Sequence, residues 1–518
     1  MLQRLSAALV AFKFKAAGAI SRTLYDKMAD KGVSAADFGL KQSNTGEANT
    51  AAMDAAVEYA ISSGINTVYV PSGTYNITEM RYSPRKRGFT LRGAGRESTT
   101  FLFTKEGGKF QINTINKFSD YAHVEDMTID GNGLATGAYI FTNYTNCTSV
   151  IFRSFQEYCM FTDGLVNHFN RCHFLRGTGD ASKSVVRTGW NATYWNNCYF
   201  NSHDGTGAGK PKGTVIMVQQ VDNREECVHH EFIGNTIEVG DIRIASASSV
   251  IIKDNYMEEV NIYIDGTPTS HVSPTEVDDI RIIDNHVVQA VPSIQIDNVT
   301  RNASISILRN DTAFSVRLNV KDKAGVVSDI LPIYNFPDIE IDNFTKREDP
   351  IIINGVYKME AIKCQLAQKQ GDQGLRRVKF TGLNLVTTND TPVDIMKLGY
   401  QDISNKVVQG MHIEERTICY RTPNQGGKYI GSLTAIGHAE FTTSSKDTNR
   451  YDPTELVTSI DVSDTSSPKP VSTKRSRNPY GVSVAYTTDD YGTKVTVKGE
   501  AGLSNQWSMD LSLIYIES

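Results

Sequence analysis

Two copies of one short pattern stand out, G-N-T-I-E at 234–238 and D-N-Y-M-E at 254–258, 20 residues apart. Each sets a glutamate, Glu238 or Glu258, three residues after an asparagine. If Asn235 and Asn255 mark the same corner of consecutive coils, the two carboxylates share a column, separated by the strand spacing of about 4.8 Å. Two carboxyl groups roughly 5 Å apart are the equipment of a retaining glycosidase, one acting as acid/base and the other as nucleophile. Like charges that close also push one pKa up, which sets an acid beside a base. On an alternating strand Glu259 points away from Glu258, so it drops out of the column. A plainer reading competes: an acidic ladder can be solvated and neutralised by a neighbour such as Arg243.

Around the same coils lie further candidates. Asp241 follows Glu238 by three residues in E-V-G-D and is expected to flank the groove as a third catalytic carboxylate. Asp204 opens the glycine-rich loop H-D-G-T-G-A-G-K-P-K-G, a suitable lip for a cleft. With Arg243, Tyr256 and Asp265 it forms the expected set of substrate contacts. Sugars stack their apolar faces on aromatic rings, which brings in G-W-N-A-T-Y-W-N-N. Trp195 occupies an apolar repeat position and is expected in the core, leaving Trp190 as the platform. In H-H-E-F, neighbours on opposite faces put at most one of His229 and His230 outside.

No G-x-S-x-G elbow, H-E-x-x-H or dinucleotide fingerprint is present, so serine hydrolase, zincin and oxidoreductase chemistries have no support. Seven cysteines occur without CxxC or a Cys/His cluster at zinc spacing. Neither a metal nor a cofactor is expected, and the cysteines read as small apolar fillers of a core made in a reducing cytoplasm.

The elements that must position these residues follow from the texture. Residues 49–63 put Ala52, Ala56, Tyr59 and Ala60 at helical spacing behind an Asn/Thr cap, and Gly64 ends the helix. I-N-T-V-Y-V-P-S-G-T-Y-N-I then reads as two strands about a Pro-Ser-Gly turn. From about residue 89, apolar runs of four to six residues alternate with Asn, Asp, Gly and Thr. The unit apolar-x-x-Asn-x-apolar returns at Asn235, Asn255, Asn285 and Asn310, with a partial copy at Asn343 and with Cys172 and Cys198 in the asparagine position upstream. Repeats of this size without helices predict a solenoid, a right-handed parallel β-helix, with Asn and Thr taking left-handed geometry at the corners. A sandwich would show turn signals every 8–12 residues.

The stretches A-A-D-F-G-L (35–40), the Ala-rich helix and T-V-Y-V-P-S-G-T-Y (67–75) resemble the opening of pectate-lyase-like β-helices. Bacteriophage tailspikes and capsule depolymerases carry that opening, and I-S-R-T-L-Y-D-K-M-A-D-K-G-V-S before it resembles the linker of phage tail proteins. In place of the usual G-D-G-x-T-D-D stands K-Q-S-N-T-G-E-A. The resemblance implies a homotrimer, three-fold packing, and a virion protein that binds and cleaves capsule or O-antigen polysaccharide, and the glutamate pair makes the expected cleavage hydrolysis. A polysaccharide lyase acting on a uronate and a non-catalytic adhesin remain open beside the hydrolase.

The ends of the chain follow. Residues 1–30 faintly imitate a signal peptide, but Lys13 and Lys15 in F-K-F-K point instead to a short docking helix or peptide for another tail protein. Residues 31–88 form the opening of the β-helix, which is expected over 89–390. From 391 to 518, alternating strands such as Y-G-V-S-V-A-Y predict an antiparallel β-sandwich, to which the resemblance to tailspikes gives a trimerisation or glycan-binding role. A net charge of −5, from 53 basic and 58 acidic residues without long runs, gives no nucleic-acid footprint. No run of 18 apolar residues exists to insert in a membrane.

Overall fold

A computed structural model describes residues 11–12, 22–23 and 32–517, except 83–87, 114–120, 178–181, 204–212, 222–225, 268–274, 289–292, 312–313, 323, 343–350, 371–372, 389–390, 400–407, 422–428, 441–451, 462–482, 490–491 and 499–504. It is all-β with one short and one long helix ahead of a long run of parallel strands. Two compact units divide the chain. One holds Met1–Arg243, Val250–Val260 and Ser270–Thr275; the other holds Ile244–Ser249, Asn261–Thr269 and Glu276–Ser518.

In the first unit the helix Gly46–Ser63 starts three residues earlier than its spacing predicts, because Thr45 accepts a hydrogen bond from the Ala48 amide. Gly64 ends it in left-handed geometry at φ 73°. Ala52, Met53, Ala56, Val57 and Ala60 form its buried face. Tyr59 lies outside that face and meets Phe38 instead, with ring centroids 5.4 Å apart. The two strands expected after it are Thr67–Val70 and Gly73–Ile77.

From there the strands stack in three parallel sheets, the faces of a β-helix. On the first face, Phe89–Arg92, Ala122–Glu125, Thr145–Thr148, Asn167–Asn170 and Thr193–Asn196 lie in register, coil upon coil. The second face runs through Thr128–Asp130, Ile151–Arg153, His173–Leu175, Tyr199–Asn201 and Thr236–Glu238. The third runs through Lys109–Asn113, Gly137–Phe141, Tyr158–Thr162, Val186–Thr188 and Ile216–Val218. Parallel pairing already joins Val33–Ser34 to Val68–Tyr69, so the coils begin before residue 89.

Inward positions build aromatic columns. Phe169, Trp195 and Phe232 stack at 4.0 and 5.9 Å, and Phe152, Phe174 and Phe200 at 5.6 and 5.2 Å. Trp195 is core, as its repeat position predicts. Among the described residues six cysteines are free and buried, the small fillers expected.

The repeated asparagines are ladder rungs rather than left-handed corners. Asn255 Oδ1 accepts from both the amide and the side chain of Asn235, and Asn235 Oδ1 accepts from the Cys198 amide. The left-handed conformation falls on the residue before each rung: Arg171, Asn197, Gly234 and Asp254. Burying the asparagine lets its amide satisfy backbone groups that the corner leaves unpaired.

In the second unit Ile262–Asp265, Ser293–Asp297 and Ser315–Asn319 continue as parallel partners, as do Ile280–Ile283, Ser304–Leu308 and Asp338–Asp342. Asn310 Oδ1 serves Asn285 in the same ladder fashion. Val316–Leu318 pairs parallel with Ile351–Ile353, and Leu331–Pro332 pairs parallel with Leu398–Gly399. Asp338–Asp342 then meets Ala361–Cys364 antiparallel, and Ala361–Gln370, Gln373–Thr387, Asn505–Glu517 and Val408–Arg421 form an antiparallel sheet. The change therefore comes some way before the expected boundary at 390. The alternation Val378-Lys379-Phe380, with both apolar residues buried, already has the period of two. Val393–Gly399, Gly492–Lys498 and Ser483–Asp489 make a second antiparallel set. Of the N-terminal segment, only Ala11–Phe12 paired antiparallel with Arg22–Thr23 is described, and the docking helix expected there lies outside the described residues.

Candidate active site

The glutamates stand at the outer edge of the second face. Tyr199 pairs with Thr236, and Asn201 with Glu238. The Thr236 amide donates to the Cys198 carbonyl, and the Tyr256 amide donates to the Asn235 carbonyl in the same way, both at 2.9 Å. With the strands Thr236–Ala245 and Tyr256–Asp265 paired, this repeats the register one coil on and sets Thr236 beside Tyr256 and Glu238 beside Glu258. Val239 and Glu259, the next residues in each coil, are both left-handed, at φ 53° and 55°. Asn201, Glu238 and Glu258 thus form one outward column at the strand spacing of about 4.8 Å.

Tyrosines serve both carboxylates. The Tyr199 hydroxyl donates to Glu238 Oε2 at 2.5 Å, and the Asn201 side-chain amide donates to the same oxygen at 3.2 Å and to the Tyr199 hydroxyl at 2.8 Å. The Tyr256 hydroxyl donates to Glu258 Oε2 at 3.1 Å. Partial burial raises the pKa of Tyr199, and its bond to Glu238 and the charges of both glutamates raise it further, against the Asn201 bond. Tyr256 is raised first by its bond to Glu258, then by desolvation and by both glutamate charges. Both phenols are therefore fixed as donors, and each feels both carboxylates. Tyr199 sits over His173 at 5.4 Å, edge to face, and His173 Nε2 lies 2.9 Å from Arg96 Nη1.

Tyr256 is thus in contact with the glutamate pair. Tyr199 and the neighbouring Asn201 were not foreseen, because that coil carries asparagine where the two later coils carry glutamate. Counting three residues on from Cys198, as from Asn235 and Asn255, lands on Asn201.

The remaining candidates divide. Glu259 is exposed at a bend, so strand alternation is not what removes it from the column. The same bend in the coil before, at Val239 and Gly240, carries Asp241 round to the third face, where its carboxylate lies 3.7 Å from Arg243. Trp190 is half-buried at the corner between the third and first faces, across the coil from Glu238. His230 is wholly buried, and His229, at a left-handed bend of φ 64°, is half-exposed. Asp204 lies outside the described residues. In the second unit Asp265 accepts from the Thr267 amide and hydroxyl and from Asn298. Burial would lift its pKa, but these bonds outweigh it and hold the carboxyl below its ordinary range. Among the described residues no cluster of His, Cys, Asp and Glu could hold a metal ion.

No protein-family model matches this sequence, and no curated protein sequence matches it. The structural neighbours include phage tailspike proteins and a capsule depolymerase. The tailspike protein gp49 from Acinetobacter baumannii bacteriophage Fri1, a capsular polysaccharide depolymerase, is 10% identical over 99% of this chain and 92% of that one, with TM-score 0.34. The Dettilon tailspike protein is 11% identical over 94% of each chain, with TM-score 0.37. PfbA, a surface adhesin of Streptococcus pneumoniae, is 13% identical over 66% of this chain and 97% of that one, with TM-score 0.43. Likeness at this level carries over neither a residue nor a substrate.

Proposed function

We propose that the protein is a phage tailspike that binds a bacterial surface polysaccharide, capsule or O-antigen, and cleaves it by glycosidic bond hydrolysis. The observation that carries this reading is the pairing of Glu238 and Glu258 on adjacent coils, each bonded by a tyrosine hydroxyl. The resemblance of its opening residues to tailspikes supports the virion setting.

The two carboxylates are not equivalent. Glu238 accepts two hydrogen bonds and Glu258 one from the tyrosines and Asn201, so Glu238 is the more firmly positioned of the two. Glu238 is accordingly the nucleophile and Glu258 the acid/base. Asp241 and Arg243 line the adjoining face, where they contact sugar units beyond the cleaved bond. The chain acts as a homotrimer joined through a C-terminal sandwich made by its antiparallel strands. Its N-terminal segment attaches to another tail protein after assembly in the host cytoplasm.

Incubation with capsule or O-antigen from the host, followed by sizing of the products, tests this directly. The expected result is shortened chains with saturated ends. Unsaturated ends that absorb in the ultraviolet mark a lyase, and intact polymer on a tightly bound protein marks an adhesin. A stable monomer in solution contradicts the trimer.

A further inference from the structure

The third face is aromatic on its outside, where the first face carries polar residues such as His123, Asn146, His168 and Glu231. Ala138, Ile140, Met160 and Thr162 point inward and are buried. Tyr139 and Phe141 at the alternate positions, and Phe161 in register with Tyr139, therefore point out, and a register shift in the strand leaves Tyr158 on the same side. Their rings meet at centroid distances of 5.4 Å for Phe141 with Phe161 and for Tyr158 with Phe161, and 6.2 Å for Tyr139 with Phe161. Tyr139 is nearly covered by these neighbours, while the other three stay half-exposed. Exposed apolar surface gathered in one place marks a binding site more often than scattered surface does.

Two cations complete the patch. Lys109 Nζ lies 5.3 Å from the Tyr139 ring centroid, and Arg187 Cζ lies 5.1 Å from that of Phe161. Arg187 follows Phe161 in the same column, and Met217 follows Arg187. The acid beside them, Glu157, accepts a hydrogen bond from the Tyr139 hydroxyl at 3.1 Å. Rings with flanking cations suit an anionic ligand that also has an apolar face.

We propose that this face is a second carbohydrate-binding surface, separate from the glutamate pair, and that it takes an acidic sugar unit of a polysaccharide. The half-exposed rings of Phe141, Tyr158 and Phe161 cover the apolar face of the pyranose. Arg187, with a planar fork matched to that group, takes its carboxylate, and Lys109, three strands along the same face, takes that of a neighbouring unit. The inference rests on the glycan reading above and adds the charge class of the polymer.

Electrophoresis of the full-length protein through gels containing polygalacturonate, hyaluronate or polysialic acid tests it, with fully methyl-esterified polygalacturonate as the uncharged control. Retardation by at least one acidic polymer, and none by the ester, is expected. Lys109→Gln combined with Arg187→Gln should weaken that retardation about tenfold or more, since each charged hydrogen bond contributes on that order. Phe161→Ala should weaken it too. No retardation by any of the three acids, or retardation indifferent to the charge variants, overturns the proposal. So does a fall in solution mass in those variants, which would mark the face as a contact between copies of the chain. Failure of the glutamate reading has a different signature: Glu238→Gln would keep full cleavage whether or not the protein is retarded.

Discussion

Tyr199 and Glu238 face each other across adjacent coils, the phenol donating to a carboxylate that Asn201 also serves. The two donors hold the carboxylate in one position on the outside of the coil. Tyr199→Phe removes the shorter of the two bonds and should slow cleavage about tenfold, since a hydrogen bond to a charged group contributes about 1.5 kcal/mol. Rates measured from reducing ends, with the melting temperature as a control for folding, check this. Cleavage at the wild-type rate would show that the Tyr199 hydroxyl does not position Glu238 for the reaction.

Glu238→Gln and Glu258→Gln should each abolish most cleavage while leaving the melting temperature close to wild type. An outward residue on a coil supports little packing, whereas proton donation by a placed carboxyl group contributes about 10² to 10⁴ in rate. Digestion of polysaccharide at the normal rate by both variants would make the column a solvated ladder.

Much of this was legible in the sequence because the repeat is written in buried residues. Asn235, Asn255 and Asn310 recur because each satisfies the backbone of a neighbouring coil, which few other side chains can do. What escaped the sequence is local geometry. The left-handed corner accepts Arg171 as well as Gly234, so no residue type announces it. The bends at Val239 and Glu259 break strand alternation, which moves Asp241 to another face. Trp190 looked like part of the glutamate site only because sequence distance hides which corner a residue occupies. The antiparallel strands near residue 361 escaped because a strand buried on one face reads alike in a coil and in a hairpin.

The asparagine ladder makes its own prediction. Asn255 is buried, accepts two hydrogen bonds from Asn235 and donates one to the Phe232 carbonyl at 2.9 Å. Asn255→Ala removes three buried hydrogen bonds; the Asn235 side chain keeps its bond to the Trp195 carbonyl, while the Asn235 backbone amide and the Phe232 carbonyl each lose one at about 1–3 kcal/mol. Urea denaturation should show a loss of about 3 kcal/mol or more. Asn255→Asp keeps the acceptor and should lose less. Equal midpoints for wild type and the alanine variant would show that water replaces the rung.

The last prediction concerns acid. His230 is wholly buried, with one ring nitrogen 3.1 Å from the Thr188 hydroxyl and the other 3.3 Å from the Cys227 thiol. Burial drives its pKa down from 6.5 to about 3, helped by the charge of His229 and opposed by a backbone bond at Trp190. Burial also pushes the Cys227 thiol up, so the thiol stays protonated and the pair stays neutral. Between pH 6.5 and about 3 the unfolded chain holds a proton on this ring and the folded chain does not. Stability is therefore complete above 6.5 and falls as the pH drops, with a limiting slope of about 1.4 kcal/mol per pH unit from this one residue. Desolvation lowers His168 and His173 as well, and they add to the slope in the same direction. Denaturation midpoints measured at pH 7, 6 and 5 should fall steadily for the wild type. In His230→Gln, which has no proton to gain, the fall should be shallower. Identical slopes for the two proteins would mean that His230 is protonated inside the fold, against the neutral contacts it makes there.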